Sequence, residues 1–131
     1  MIKDIHQIKR RMNQDHILSK EEVQNLQEAI GYEFRDVNLL ICALTHRSYL
    51  NENLEHPFGH NERMEFLGDA VLELVVTEVL YHQFSEKPEG ELTNYRAALV
   101  KGDHLYQVGQ KFDLERYILV SKGEKKDPSS K

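Results

Sequence analysis

His60-Asn61-Glu62-Arg63-Met64-Glu65-Phe66-Leu67-Gly68-Asp69-Ala70-Val71-Leu72-Glu73-Leu74-Val75-Val76 is the stretch on which the fold turns. Its second half is rich in β-branched residues, so a strand competes with a helix there. Length decides between them: residues 61–84 run without a proline or a turn cluster, far beyond an ordinary strand. The expectation is one long helix over 61–84. On a wheel of about 100° per residue, Glu62, Glu65, Asp69 and Glu73 fall within an arc of roughly 80°. Leu67, Val71, Leu74, Val75 and Val79 occupy much of the remaining circumference. A helix apolar nearly all round belongs in a core, so this one reads as a column of carboxylates on an otherwise buried surface.

Glu65 and Asp69 stand at i, i+4, where like charges repel, and Arg63 lies on another face. A hard divalent cation would relieve them, because magnesium takes oxygen ligands and keeps several waters. Such an ion activates water and steadies a phosphodiester transition state. The plainer reading, a solvent-facing acidic side, stands beside it. Gly68 bears on the choice. A helical glycine costs about 0.8–1.0 kcal/mol relative to alanine, and it signals close approach by another backbone or a bulky side chain.

The flanking sequence is helical in pattern. Ser19-Lys20-Glu21-Glu22 has capping-box form, Val23, Leu26 and Ile30 follow at helical spacing, and Gly31 suits a left-handed exit. Asp36 caps a second helix carrying Val37, Leu40, Ile41 and Leu44. Residues 45–60 are polar, contain Pro57 and Gly59, and read as a loop or broken segment. Residues 85–90 form a turn, and a further helix is expected over 91–101. Gly102 is expected to end that helix, and Asp103 to cap another through Leu105, Val108 and Phe112. Residues 117–120 are a short apolar segment, and residues from 122 on a polar tail. The fold class is all-α. The organisation reads as an N-terminal extension over 1–18, either a helix or a loose arm, a domain over 19–124 and a polar tail over 125–131.

Composition sets limits. The net charge is −5, and between Leu50 and Glu91 ten acids face only Arg63 and Lys87. Nucleic-acid binders are usually basic, so polyanion binding would need cations to reverse the local sign. Cys42 is alone and cannot form an internal disulfide, which points to a reducing compartment, with cytoplasm the expectation. The apolar stretch 70–80 is broken by Glu73 and Glu78, so no membrane partner is expected. The start has no long apolar core and is not a secretory signal. The seven histidines show no zinc spacing with a cysteine. His46 reads as a positioned polar residue or helix end rather than a general base. Arg47, Arg96 and Lys101 are open to either phosphate contact or ordinary surface charge.

The segment from His60 to Leu72 closely resembles the ribonuclease III family signature, a long and specific motif. Gly31-Tyr32-Glu33-Phe34, Ala43-Leu44-Thr45-His46-Arg47-Ser48, Tyr81-His82-Gln83-Phe84 and Glu89-Gly90-Glu91-Leu92 resemble segments of the same domain in the same order. So do Arg96-Ala97-Ala98-Leu99-Val100 and Tyr117-Ile118-Leu119-Val120-Ser121-Lys122-Gly123-Glu124. The resemblance covers about residues 26–124. It implies an all-α endonuclease domain acting as a homodimer on double-stranded RNA, whose deep, narrow major groove favours reading by shape.

By this resemblance Glu65 is a magnesium ligand, with manganese a substitute, and Asp69 is a catalytic acid at the same site. Glu62 is an accessory acid and Glu89 an acid along the RNA valley. Phe66 enters a socket on the partner subunit, which would account for a glycine nearby. The family also carries a second acidic pair, an Asp and a Glu three residues on, after Lys-Gly-Glu. Here Lys125-Lys126-Asp127-Pro128-Ser129-Ser130-Lys131 follows instead. Asp127 precedes a proline, which disfavours a helix, and the closing helices are absent. The sequence is expected to be a shortened chain, a gene fragment or a divergent member. Two functions follow: a magnesium-dependent endoribonuclease domain, or a non-catalytic dimerisation or double-stranded RNA-binding module. Uncovered apolar surface on the 61–84 helix is the expected structural consequence.

Overall fold

The computed structural model describes residues 18–126. Secondary structure among them is helical, apart from one isolated parallel bridge between Thr45 and Leu119. The described residues group into two compact units. One holds the residues up to Glu62 together with those from Leu114 on, and the other is Arg63–Asp113.

The first unit opens with α1 (Lys20–Ile30). Both halves of the expected capping box form: Ser19 Oγ accepts the Glu22 N–H, and the Glu22 carboxylate accepts the Ser19 N–H, each at 3.1 Å. Gly31 takes the left-handed conformation at φ 70° and turns the chain out. Gln27 is buried, and its Oε1 accepts the Phe34 N–H at 2.7 Å, which ties the following loop back onto the helix. Asp36 caps α2 (Val37–Ala43) through the Asn38 N–H. Leu18, Val23, Leu26, Leu40, Ile41, Leu44 and Tyr117 form one core, with Phe34, Phe58 and Leu119 packed around it. The amphipathic spacings read from the sequence supply most of this core.

Residues 45–60 are not simply a loop. They contain α3 (Arg47–Glu52), whose N-cap is His46: its Nδ1 accepts the Ser48 N–H at 3.2 Å. A six-residue polar helix leaves no apolar period to read, and histidine is not a favoured capping residue. Nearby, Leu119 accepts the His46 N–H and donates to the Leu44 carbonyl, both at 2.8 Å. Ser48 Oγ accepts the Ser121 N–H, and Glu52 accepts the Lys122 N–H. Residues 119–122 are thus pinned beside α3. A 3-10 turn (Leu114–Tyr117) precedes them. The polar tail in turn begins with a short helix, Lys122–Lys126, that the sequence reading did not anticipate. Ser121 Oγ caps it through the Glu124 N–H.

The long helix is α4 (Glu62–Gln83), close to the expected 61–84. In the second unit it is followed by α5 (Glu89–Val100) and α6 (Gly102–Lys111). Here the expected boundaries shift. Lys101, in extended conformation at ψ 141°, is both the end of α5 and the start of α6. Gly102 therefore opens a helix rather than ending one, and Asp103 sits in its first turn, where a negative charge suits the helix dipole. α5 starts two residues earlier than expected because Pro88 precedes it, its carbonyl accepting the Glu91 and Leu92 N–H groups.

On α4 the reading of a core helix fails, while the expected uncovered apolar surface is present: only Leu80 is buried, and Phe66 is 84% and Leu74 68% exposed. Leu67 is 63% exposed, and Val71, Val75 and Val79 are exposed over about half their surface. The helix is apolar around much of its circumference, as expected, but apolarity all round says what a helix needs, not what covers it.

The first eighteen residues were read as an extension; residues 1–17 lie outside the described residues, as do 127–131. No helix among the described residues is long and apolar enough to cross a membrane.

Candidate functional site

The acids of α4 divide into engaged and unengaged groups. Glu62, at the helix start, receives Arg47 Nη1 at 3.3 Å. His60 Nδ1 accepts the Glu62 N–H at 3.4 Å and lies 3.9 Å from the Glu62 carboxylate. Glu73 lies 3.6 Å from Arg96 Nε, and Arg96 Nη1 also donates to Thr77 Oγ1 at 3.1 Å. Thr77 in turn donates to the Glu73 carbonyl at 2.6 Å. Arg96 is thereby fixed to two positions one turn apart on α4. These pairs are solvent-exposed and contribute little to stability; their effect is to engage the ends of the acidic column.

Glu65 and Asp69, in the middle, are exposed. Among the described residues neither has an ion pair or a side-chain hydrogen bond. The i, i+4 repulsion between them is therefore unrelieved within the described chain. The arginines inferred from sequence as surface charges or phosphate contacts, Arg47 and Arg96, neutralise the flanking acids and leave the central two bare. No sequence signal could have given this, because the partners lie 15 and 23 residues apart on different helices.

Glu89, also exposed, opens α5 in its first turn. Among the described residues no group of three or more histidine, cysteine or acidic side chains is placed to hold an ion. The structure thus pairs Glu65 with Asp69 by helix spacing and does not gather Glu89 or another acid with them. Phe66 projects from the same turn, almost fully exposed. The expected close neighbour of Gly68 is absent: a Cβ built there meets nothing within 4 Å. Among the described residues, tight packing does not explain that glycine. His46 takes the structural role expected of it, as the cap of α3.

Among the described residues, an all-helical set of elements with a row of carboxylates centred on an unpaired Glu–Asp couple defines an acidic all-α domain. The ribonuclease-III-like family profile matches residues 36–131. The chain is 52% identical over 99 residues to ribonuclease 3 of Enterococcus faecalis, covering 76% of this chain and 43% of that protein. It is 41% identical over 107 residues to ribonuclease 3 of Carboxydothermus hydrogenoformans, covering 82% and 46%. Among solved structures it resembles the nuclease domain of ribonuclease III from Campylobacter jejuni. That match has a TM-score of 0.71 and 42% identity over 82% of this chain and 71% of that one. The Campylobacter structure is described for flexibility in a region involved in dimer formation. The chain belongs to the ribonuclease-III-like family. It spans less than half the length of the curated relatives it matches.

Proposed function

We propose that this chain carries the acid-bearing part of an endoribonuclease domain that hydrolyses double-stranded RNA with magnesium, or manganese in its place. The observation that carries this reading is the pattern of engagement on α4. Glu62 and Glu73 have arginine partners, whereas Glu65 and Asp69, one turn apart and exposed, have none. Magnesium is commonly held by one or two carboxylates, with waters and substrate phosphates completing its shell. The two free carboxylates fit that donor set. Glu65 and Asp69 would hold the ion, which when bound supplies an activated water and charge stabilisation. Glu62, engaged by Arg47, would serve as an accessory acid, and Glu89 would act along the RNA. Phe66 serves a homodimer contact, consistent with its exposure.

The alternative, a non-catalytic dimerising or RNA-gripping module, is favoured by one specific observation. No third acid joins Glu65 and Asp69 among the described residues.

The test is cleavage of a long RNA duplex with magnesium and with chelator, beside Asp69→Asn. We expect magnesium-dependent cutting that falls roughly 100-fold or more in the variant. Manganese titration gives an independent readout: α4 amides near Glu65 and Asp69 should broaden by paramagnetic relaxation, and Asp69→Asn should blunt this. Broadening without cleavage by the folded chain would select the non-catalytic module. Neither broadening nor cleavage would discard the metal site in this chain.

A further inference from the structure

The loop over residues 53–60 joins a partly buried cluster that the acidic site does not use. Tyr49 on α3 is only 4% exposed and Thr45 is fully buried. His56 reaches back to both. Its Nε2 lies 3.3 Å from Thr45 Oγ1, and its ring packs edge-on against Tyr49 at 5.1 Å and Phe58 at 5.2 Å. The protonation state follows from the hydrogen bonds. Thr45 Oγ1 donates its proton to the Ile41 carbonyl at 2.7 Å, so towards His56 it can only accept. His56 Nε2 is therefore the protonated nitrogen, and Nδ1 is bare. Nδ1 is buried with no hydrogen-bond partner, as is Tyr49 Oη.

His56 is the one residue of 54–59 tied to the rest of the unit by a side-chain hydrogen bond, among the described residues. Leu54 is 90% exposed and anchors nothing. Beyond the loop, the Thr45 carbonyl accepts the Asn61 N–H at 2.9 Å, and the Cys42 thiol reaches the His60 carbonyl. Thr45 thus holds the loop through its side chain and the lead-in to α4 through its backbone.

We propose that Thr45, Tyr49 and His56 form a proton-operated latch: the neutral imidazole pins loop 53–60, and a proton on Nδ1 releases it. A charged imidazolium would need an acceptor at Nδ1 and a compensating anion. Tyr49 from α3 is the titratable group facing the ring; Thr45 and Phe58 are neutral. The acids of the same stretch, Glu52 and Glu55, are exposed, and Glu52 is engaged by the Lys122 N–H. Burial alone pushes His56 below the usual histidine range and Tyr49 above the usual tyrosine range. For His56 the unfolded chain then binds its proton first. The latch is complete above about pH 6.5, the ordinary histidine value, and is lost as the pH falls from there through the folded-state value.

The experiment is a histidine-ring NMR titration of this chain from alkaline to mildly acid pH, following the packed Phe58 ring in parallel. We expect His56 to titrate below the ordinary range, and the dispersed Phe58 signals to move to coil positions over that same step. In His56→Gln, which keeps a donor for Thr45 but cannot charge, the Phe58 signals should stay put across the range. An ordinary or raised His56 midpoint, a Phe58 ring indifferent to the step, or the same Phe58 movement in His56→Gln would each overturn the latch.

Discussion

At the scale of single residues, Gly68 is where sequence and structure part most instructively. A glycine between two acids in a long helix is costly, and such a position is expected where another group approaches closely. Within the described chain nothing does. Gly68→Ala should therefore stabilise the isolated chain by about 0.5–1 kcal/mol, the ordinary helix-interior difference. A urea unfolding midpoint measures this. A destabilised variant at low protein concentration would reveal a packing constraint inside the monomer that the structure does not contain. The types and spacing of Glu65 and Asp69 were legible from sequence, because helix periodicity fixes both. Which acids would be left without a cation was not, because Arg47 and Arg96 arrive from other helices. The His56 cluster was equally invisible: it depends on a buried threonine whose proton is already engaged.

At the scale of elements, legibility follows the strength of the local signal. α1 and α2 were readable because each joins an apolar period to a strong cap, and α4 because its uninterrupted length rules out a strand. α3 and the short helix at 122–126 were not, since each is too short and polar for any period to emerge. Gly102 misled because glycine after a helix usually ends it, whereas here an extended Lys101 already separates two helices. The missed α3 is nevertheless an organising element. Ser48 Oγ accepts the Ser121 N–H at 3.0 Å and lies 2.7 Å from His46 Nδ1, so one hydroxyl joins the α3 cap to residues 119–122. Ser48→Ala would leave the partly buried Ser121 amide unpaired. A loss of about 1–2 kcal/mol is expected, together with faster amide exchange at Ser121 and Leu119. An unchanged midpoint and unchanged exchange at Ser121 would mean that the hydroxyl contributes nothing to holding this segment.

At the scale of the whole molecule, two properties pull in different directions. A net charge of −5 disfavours self-association, as like-charged surfaces repel. The α4 surface favours it: Phe66, Leu67, Val71, Leu74, Val75 and Val79 are all exposed on one helix. Monomeric proteins seldom leave a contiguous apolar patch of this kind uncovered. Burial of apolar area yields roughly 25 cal/mol per Å², while charge repulsion between surfaces is screened over about 8 Å at physiological salt. The apolar term should therefore win once salt is present. Sedimentation velocity is expected to show concentration-dependent association that strengthens with added salt. Phe66→Asp, which places a charge on the most exposed of these positions, should weaken it without lowering the unfolding midpoint measured at high dilution. Salt-strengthened association unaffected by Phe66→Asp would move the contact away from this turn of α4. A wild-type chain that stays monomeric at every concentration and salt level would mean that the exposed face is tolerated by charge alone.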